Sequence, residues 1–272
     1  MNKYQAVCLD LDGTLFGKDS TISQKNKEVL KACLDKGIQV YFVSGRPYFF
    51  TKYQASLVDE RVQVISGNGG CYDKGDTIVE KCIPQKCLAE IIDCLKETKS
   101  PAFFKSKDTI YAHEAYDARF MYDEWVKLPQ FPYTKSYPNL SWEELKDKSK
   151  DIVKILIYDT DKVLLRKLRQ RIEGIDGITV ASYNEISFDV NAANVNKGNA
   201  IKDVMEYRKI PLANVLAIGD GENDMAMFAV AGHTIAMCNA KASIQKLCDE
   251  VSALSNEDDG VSEILQEYFL RQ

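Results

Sequence analysis

The 272-residue sequence holds no apolar run approaching the roughly 20 residues that a membrane-spanning helix needs. Its opening stretch, MNKYQAVCLDLDGTLF, is too briefly apolar for a signal peptide and carries two aspartates. A cytoplasmic protein with no membrane partner is the resulting expectation. Histidine is scarce. The two present, His113 and His233, are too isolated for a His-based metal site or triad and read as structural or surface residues. The eight cysteines include no C-x-x-C pair, so they read as reduced thiols rather than disulfides or zinc ligands. A basic excess is also missing: 35 Lys and Arg stand against 40 Asp and Glu, a net charge of -5. That balance argues against nucleic acid as a partner, because binding to its backbone wants a basic face. A small phosphorylated ligand needs only a local cation. Chemistry must therefore rest on carboxylates, hydroxyls, amines and a bound cation.

What is present is ordinary for a globular chain: 45% hydrophobic and 28% charged residues. Short apolar runs alternate with amphipathic stretches. Strands are predicted over 4–11, 38–43, 62–65, 215–218 and 234–237. Helices are predicted from the Ser23 cap to about Lys36, over 197–208, around 242–247 and from Gly260. That alternation predicts an α/β fold: a doubly wound, mostly parallel sheet. The middle differs. A helix over 84–99, a hairpin over 103–113, a helix over 117–128, a proline-bearing loop over 128–141, a strand over 152–158, a helix over 161–173 and a strand over 178–182 make a separate α+β unit. The division is a core of 1–82 with 185–272, and an inserted unit of 83–184. The aromatics Phe103, Phe104, Tyr111 and Tyr116 read as that unit's own packing.

Three core loops fall at the C-terminal ends of strands, where open α/β sheets bind their ligands. They are Asp10-Leu11-Asp12-Gly13-Thr14, Ser44-Gly45-Arg46-Pro47 and Gly219-Asp220-Gly221-Glu222-Asn223-Asp224. Charges inside a sheet are costly, so the aspartates belong at the strand ends, facing one pocket. Converging carboxylates about 4 Å apart repel by roughly 4 kcal/mol at an effective dielectric near 20. A divalent cation relieves that, and all-oxygen ligands favour Mg2+. A carboxylate there can act as a nucleophile towards phosphorus. Ser44, the Gly45 amide and Lys197 are suitable donors to a phosphoryl group, and Asp12 can move a proton. A lysine at a helix start opposes the helix dipole, so Lys197 should have compensating partners.

Together, Asp10-x-Asp12-Gly13-Thr14, Ser44-Gly45-Arg46, Lys197-Gly198 and Gly219-Asp220-x-x-Asn223-Asp224 resemble, in order and spacing, the four motifs of the haloacid dehalogenase superfamily of phosphohydrolases. The large insertion resembles the type IIB cap of its Cof-like branch. Asn68-Gly69-Gly70, Ala236-Met237-x-Asn239-Ala240 and Asp259-Gly260-Val261 extend the likeness. The resemblance implies Asp10 as nucleophile and Mg2+ ligand, and Asp12 as general acid/base with its backbone carbonyl on the metal. Thr14 would orient Asp12. Ser44, Gly45 and Lys197 would hold the phosphoryl group, Asp220 would ligate the metal directly and Asp224 directly or through water, and Asn223 would touch the phosphoryl or position Lys197. Arg46 and Asn68 are further binding candidates. It also implies a cap over the site and a small phosphorylated metabolite as substrate, sugar phosphates first, acted on by a monomer or small homo-oligomer. A phosphomutase or phosphotransferase on the same fold, or a non-catalytic ligand-binding regulator, are the alternatives. Cys238, Gly70 and His233 depart from the branch pattern without touching the proposed chemistry.

Overall fold

A computed structural model describes residues 3–113, 139–148 and 150–271. The helix expected over 117–128, Tyr116 and nearly all of the loop expected over 128–141 lie outside the described residues. The chain forms two compact units, Met1–Val79 with Asn196–Gln272, and Glu80–Val195. No described helix is long and apolar enough to cross a membrane.

The first unit is built on an eight-stranded sheet. In spatial order its strands are β14 (Glu250–Val251), β13 (His233–Ala236), β12 (Val215–Gly219), β1 (Ala6–Leu9), β2 (Gln39–Val43), β3 (Gln63–Ser66), β4 (Cys71–Lys74) and β5 (Thr77–Glu80). The six strands from β14 to β3 run parallel, while β3 and β4 pair antiparallel. The middle strands AVCL and VLAIG are buried throughout, as strands covered on both faces must be. The strand order reverses at β1, which has β2 on one side and the returning β12 on the other. That reversal opens a crevice beyond the C-terminal ends of β1, β2 and β12. The first helix, Gln24–Asp35, starts where the Ser23 hydroxyl accepts the Asn26 amide at 3.0 Å. The β4–β5 hairpin is an addition to the expected layout. Its short strands, CYDK and TIVE, are too mixed to read as buried runs.

The second unit has a six-stranded sheet ordered β10 (Ile178–Asn184), β11 (Ser187–Ala192), β9 (Lys154–Tyr158), β6 (Ala102–Lys105), β7 (Ile110–His113) and β8 (Asn139–Leu140). The helices Gln85–Thr98, Trp142–Asp147 and Lys162–Glu173 supply Leu88, Ile91, Leu145, Leu168 and Ile172 to its apolar core, with Phe104 and Tyr111 from the sheet. Strand β8 falls within the stretch expected as loop, and the helix Trp142–Asp147 stands where no element was expected. Ser141 and Glu144 start that helix with a reciprocal capping box. Strand β11 corrects the expected boundary as well. It pairs with β9 and β10, so the chain leaves this unit after Val195 rather than after residue 184.

Candidate active site

Asp10 follows β1 directly, and its amide donates to the Ile218 carbonyl of β12 at 3.0 Å. The chain then turns sharply. Gly13 has φ +80°, a left-handed conformation natural to glycine, and a Cβ there would run into the Asp220 carboxylate. The turn brings the first and last motifs together: the Thr14 hydroxyl donates to Asp220 Oδ1 at 3.0 Å. Thr14 was expected to orient Asp12. It bonds Asp220 instead, because the turn carries Asp12 elsewhere. Both Asp12 oxygens accept from Arg46, from Nε at 2.9 Å and Nη2 at 2.6 Å.

Lys197 opens the helix Lys197–Arg208, whose first turn is capped by the Asn196 side chain accepting the Asn199 amide at 2.8 Å. Its side chain is fully buried, and Nζ donates to Asp10 Oδ1 at 2.5 Å and Asp224 Oδ1 at 2.6 Å. These are the compensating partners that a buried helix-start lysine requires. Burial works to lower its pKa, but the two carboxylates prevail and hold it above the ordinary lysine value. The other Asp224 oxygen, Oδ2, accepts the Asp220 and Gly221 amides at 3.0 and 2.9 Å.

Asp10, Asp220 and Asp224 form a cluster in which one oxygen from each lies within 4.8 Å of the others. The electrostatics show a surplus of negative charge. Burial, then the Asp224 charge, pushes the Asp10 carboxyl well above the ordinary aspartate range. The same two causes, in the same order, push Asp220 up to about 6. An all-oxygen set with unrelieved negative charge fits a hard divalent cation.

Ser44 is buried at the end of β2, and its hydroxyl accepts the Arg46 amide at 3.1 Å, leaving its own proton to donate. Gly45 lies between them on the same loop. The loop after β3 locks onto the same place. Asn68, in a left-handed conformation at φ 58°, donates its amide to the Ser44 carbonyl at 3.1 Å. Gly69, at φ +95°, lies so close to the Asn196 carbonyl that a Cβ would collide with it. Asn223 is half-buried in the last loop and makes no hydrogen bond to Lys197 among the described residues. Asp12 stands outside the three-carboxylate cluster by its side chain.

Sequence reasoning missed the bracing of the first loop. Asn239 Nδ2 donates to the Gly13 carbonyl at 2.8 Å, and Asn256 Nδ2 to the Phe16 carbonyl at 2.7 Å. The Asn256 amide in turn donates to Asn239 Oδ1 at 3.2 Å. Asn239 stood in a family-like motif without a role; Asn256 carried no signal. Both histidines make packing or hydrogen-bond contacts with residues outside the carboxylate cluster. His113 stacks on Trp142 with centroids 3.9 Å apart, and His233 bonds Tyr268 Oη at 2.8 Å.

Comparison with known proteins gives this geometry its context. A family model for haloacid dehalogenase-like hydrolases matches residues 7–265. The 5-amino-6-(5-phospho-D-ribitylamino)uracil phosphatase YwtE of Bacillus subtilis is 28% identical, over 98% of this chain and 97% of its own. The phosphatase YwpJ of the same organism is 27% identical, over 96% of this chain and 98% of its own. A solved haloacid dehalogenase-like hydrolase from Bacteroides thetaiotaomicron superposes with a TM-score of 0.84 at 24% identity, covering 98% of this chain and 100% of that one. With a match that spans both motif-bearing segments and the insertion between them, the chain belongs to the haloacid dehalogenase-like hydrolase family, among its phosphatases.

Proposed function

We propose that the protein is a Mg2+-dependent phosphohydrolase that cleaves phosphate monoesters of small metabolites through an aspartyl-phosphate on Asp10. The observation that carries this reading is the buried Asp10 carboxylate held by Lys197 inside the Asp10–Asp220–Asp224 cluster. Asp10, Asp220 and Asp224, with the Asp12 backbone carbonyl, would hold the metal, which supplies charge neutralisation to the carboxylates and to the phosphoryl oxygens. A carboxylate oxygen of Asp10 attacks phosphorus, and the bond from phosphorus to the ester oxygen breaks. Asp12 gives its proton to that leaving oxygen. In the second half, Asp12 takes a proton from the water that attacks the acyl phosphate. Inorganic phosphate departs and Asp10 is restored. An ammonium has three protons, and Lys197 uses two on Asp10 and Asp224, leaving one for a phosphoryl oxygen. The Ser44 hydroxyl, the Gly45 amide and Asn223 supply further donors.

YwtE, by its name, acts on a phosphorylated ribityl compound, which is a phosphate ester of a polyol chain. That supports sugar and sugar-alcohol phosphates as the first substrates to test. The test is phosphate release across a metabolite panel, with Mg2+ and with a chelator. Release that chelation abolishes is the expected outcome, and an Asp10→Asn protein should be inactive. No release from any ester would sink the phosphatase reading. An active Asp10→Asn protein, with deamidation excluded, would sink the nucleophile. Product analysis with a hexose phosphate separates hydrolysis from transfer to a second hydroxyl.

A further inference from the structure

Among the described residues, Lys197 and Arg46 reach the aspartates at these strand ends, and they differ in accessibility. Lys197 is fully buried, and both of its carboxylate partners are buried with it. Arg46 pairs with Asp12 at the edge of the crevice, with side chains 17% and 31% exposed. The pair is two-point, so both Asp12 oxygens are occupied as acceptors by one planar guanidinium. The backbone of Arg46 is fixed on both sides. Its amide donates to Ser44 Oγ at 3.1 Å, and its carbonyl accepts the Gly67 amide at 2.9 Å. Its guanidinium carbon lies 5.2 Å from the centre of the Phe50 ring, a cation–π contact that holds it over that face.

A guanidinium placed so firmly suits a phosphate as well as it suits a carboxylate, because the fork geometry matches both. It is also the more accessible of the two cations to an anion entering from solvent. A carboxyl with both oxygens in the pair cannot face a leaving group until the pair opens.

We propose that Arg46 is a phosphoryl-binding residue held in reserve by Asp12: an incoming phosphoryl anion displaces the Asp12 carboxylate from the guanidinium, and this exchange frees Asp12 to meet the leaving oxygen. Hydrogen bonds change partner and no covalent bond is made or broken. Substrate binding and the arrival of the proton carrier become one event. The proposal rests on the phosphohydrolase reading for the role of Asp12, while the exchange itself is a statement about anion binding.

The test is calorimetric titration of the full chain with inorganic phosphate in the presence of Mg2+. Each variant is first checked for a native circular dichroism spectrum and cooperative melting. Asp12 competes with phosphate for Arg46, so removing that competitor raises the fraction of protein ready to bind. Asp12→Asn should bind phosphate about three- to tenfold more tightly, which is about 0.7–1.4 kcal/mol at 1.4 kcal/mol per tenfold. Arg46→Met should bind at least about tenfold more weakly on the same scale. In the Arg46→Met background, adding Asp12→Asn should bring no tightening. The same tightening in both backgrounds would reduce Asp12 to a repulsive charge and overturn the exchange. Unchanged phosphate affinity in Arg46→Met would overturn it equally. A second readout is the Arg46 Nε–H resonance of the wild type, expected to move in step with phosphate saturation. A stationary resonance at full saturation counts against the proposal. Release of phosphate across the metabolite panel is measured in parallel: if the wild type releases none from any ester, the phosphatase reading fails, while the titrations still decide the exchange.

Discussion

Asp220 offers a sharp test of the site's electrostatics. Its carboxyl is pushed up to about 6, against an ordinary value of 3.8, by burial and then by the neighbouring Asp224 charge. A folded-state pKa above the unfolded one means that the folded protein binds this proton more tightly. The linked stability is fully present below about pH 4 and is lost as pH rises through about 6. Near neutrality the metal-free protein carries the ionised form at a cost. Each pKa unit corresponds to about 1.36 kcal/mol, which sets a ceiling of about 3 kcal/mol. Asp220 is only half-buried, so solvent screening brings the expected cost to about 1–2 kcal/mol. Asp220→Asn removes the charge and keeps the shape. Its Oδ1 can still accept the Thr14 hydroxyl, now 3.0 Å from Asp220 Oδ1. The variant should therefore be catalytically dead and more stable. For a unit of this size, roughly 2–4 °C per kcal/mol predicts a rise in Tm of about 2–8 °C near pH 7.5 in chelator. The gain should vanish near pH 4.5, where the wild-type carboxyl is itself protonated. Mg2+ should raise the wild-type Tm and have less effect on the variant. Calorimetry at the two pH values decides the matter. A variant that melts lower near pH 7.5, or gains equally at both, refutes the argument that the cluster is under-neutralised.

Two further substitutions probe the same loops. Lys197→Met leaves Asp10 and Asp224 buried without their shared ammonium, so it should cost about 3–5 kcal/mol of stability. It should also lower kcat at least about 100-fold, both losses read by melting and steady-state kinetics. Gly13→Ala forces a Cβ into the Asp220 carboxylate at φ +80°, so activity should fall sharply while the circular dichroism spectrum stays native. Wild-type kinetics in that variant would mean that the Gly13–Asp220 approach has no bearing on the chemistry.

Much of the site was legible because the rule that exposes it is local. An apolar strand that stops abruptly at Asp, Ser or Gly marks a strand end, and β1, β2 and β12 each do so. The demand of Lys197 for negative partners also followed from its place at a helix start, and Asp10 and Asp224 meet it. Partner choice within the site was not legible. Thr14 and Asp220 are 206 residues apart, Asn239 and Gly13 are 226 apart, and no spacing rule joins them. Thr14 turns from Asp12 to Asp220 because one left-handed glycine between them redirects the chain.

The misplaced boundary at residue 184 has a different cause. Strand β11, SFDVNA, alternates regularly, but its polar residues Ser187, Asp189 and Asn191 are as buried as Phe188 and Val190. A strand with a buried polar face has no apolar run to announce it. Its cost is offset by specific pairing: Lys154 Nζ meets Asp189 Oδ2 at 2.5 Å, and Asn191 Nδ2 donates to the Val153 carbonyl at 2.8 Å. Lys154 opens the neighbouring strand β9 and Val153 directly precedes it, so the burial of Asp189 becomes intelligible only once β9 and β11 are aligned. The same logic holds at the strand-end loops. Composition shows which charges must be compensated, and the three-dimensional pairing decides which cation answers which carboxylate. Lys197 answers Asp10 and Asp224 from within the core, and Arg46 answers Asp12 where solvent and an anion can reach it. Lys197, buried with Asp10 and Asp224, holds those two carboxylates together, and Arg46, nearer the surface, is the cation at which the proposed exchange with an anion takes place.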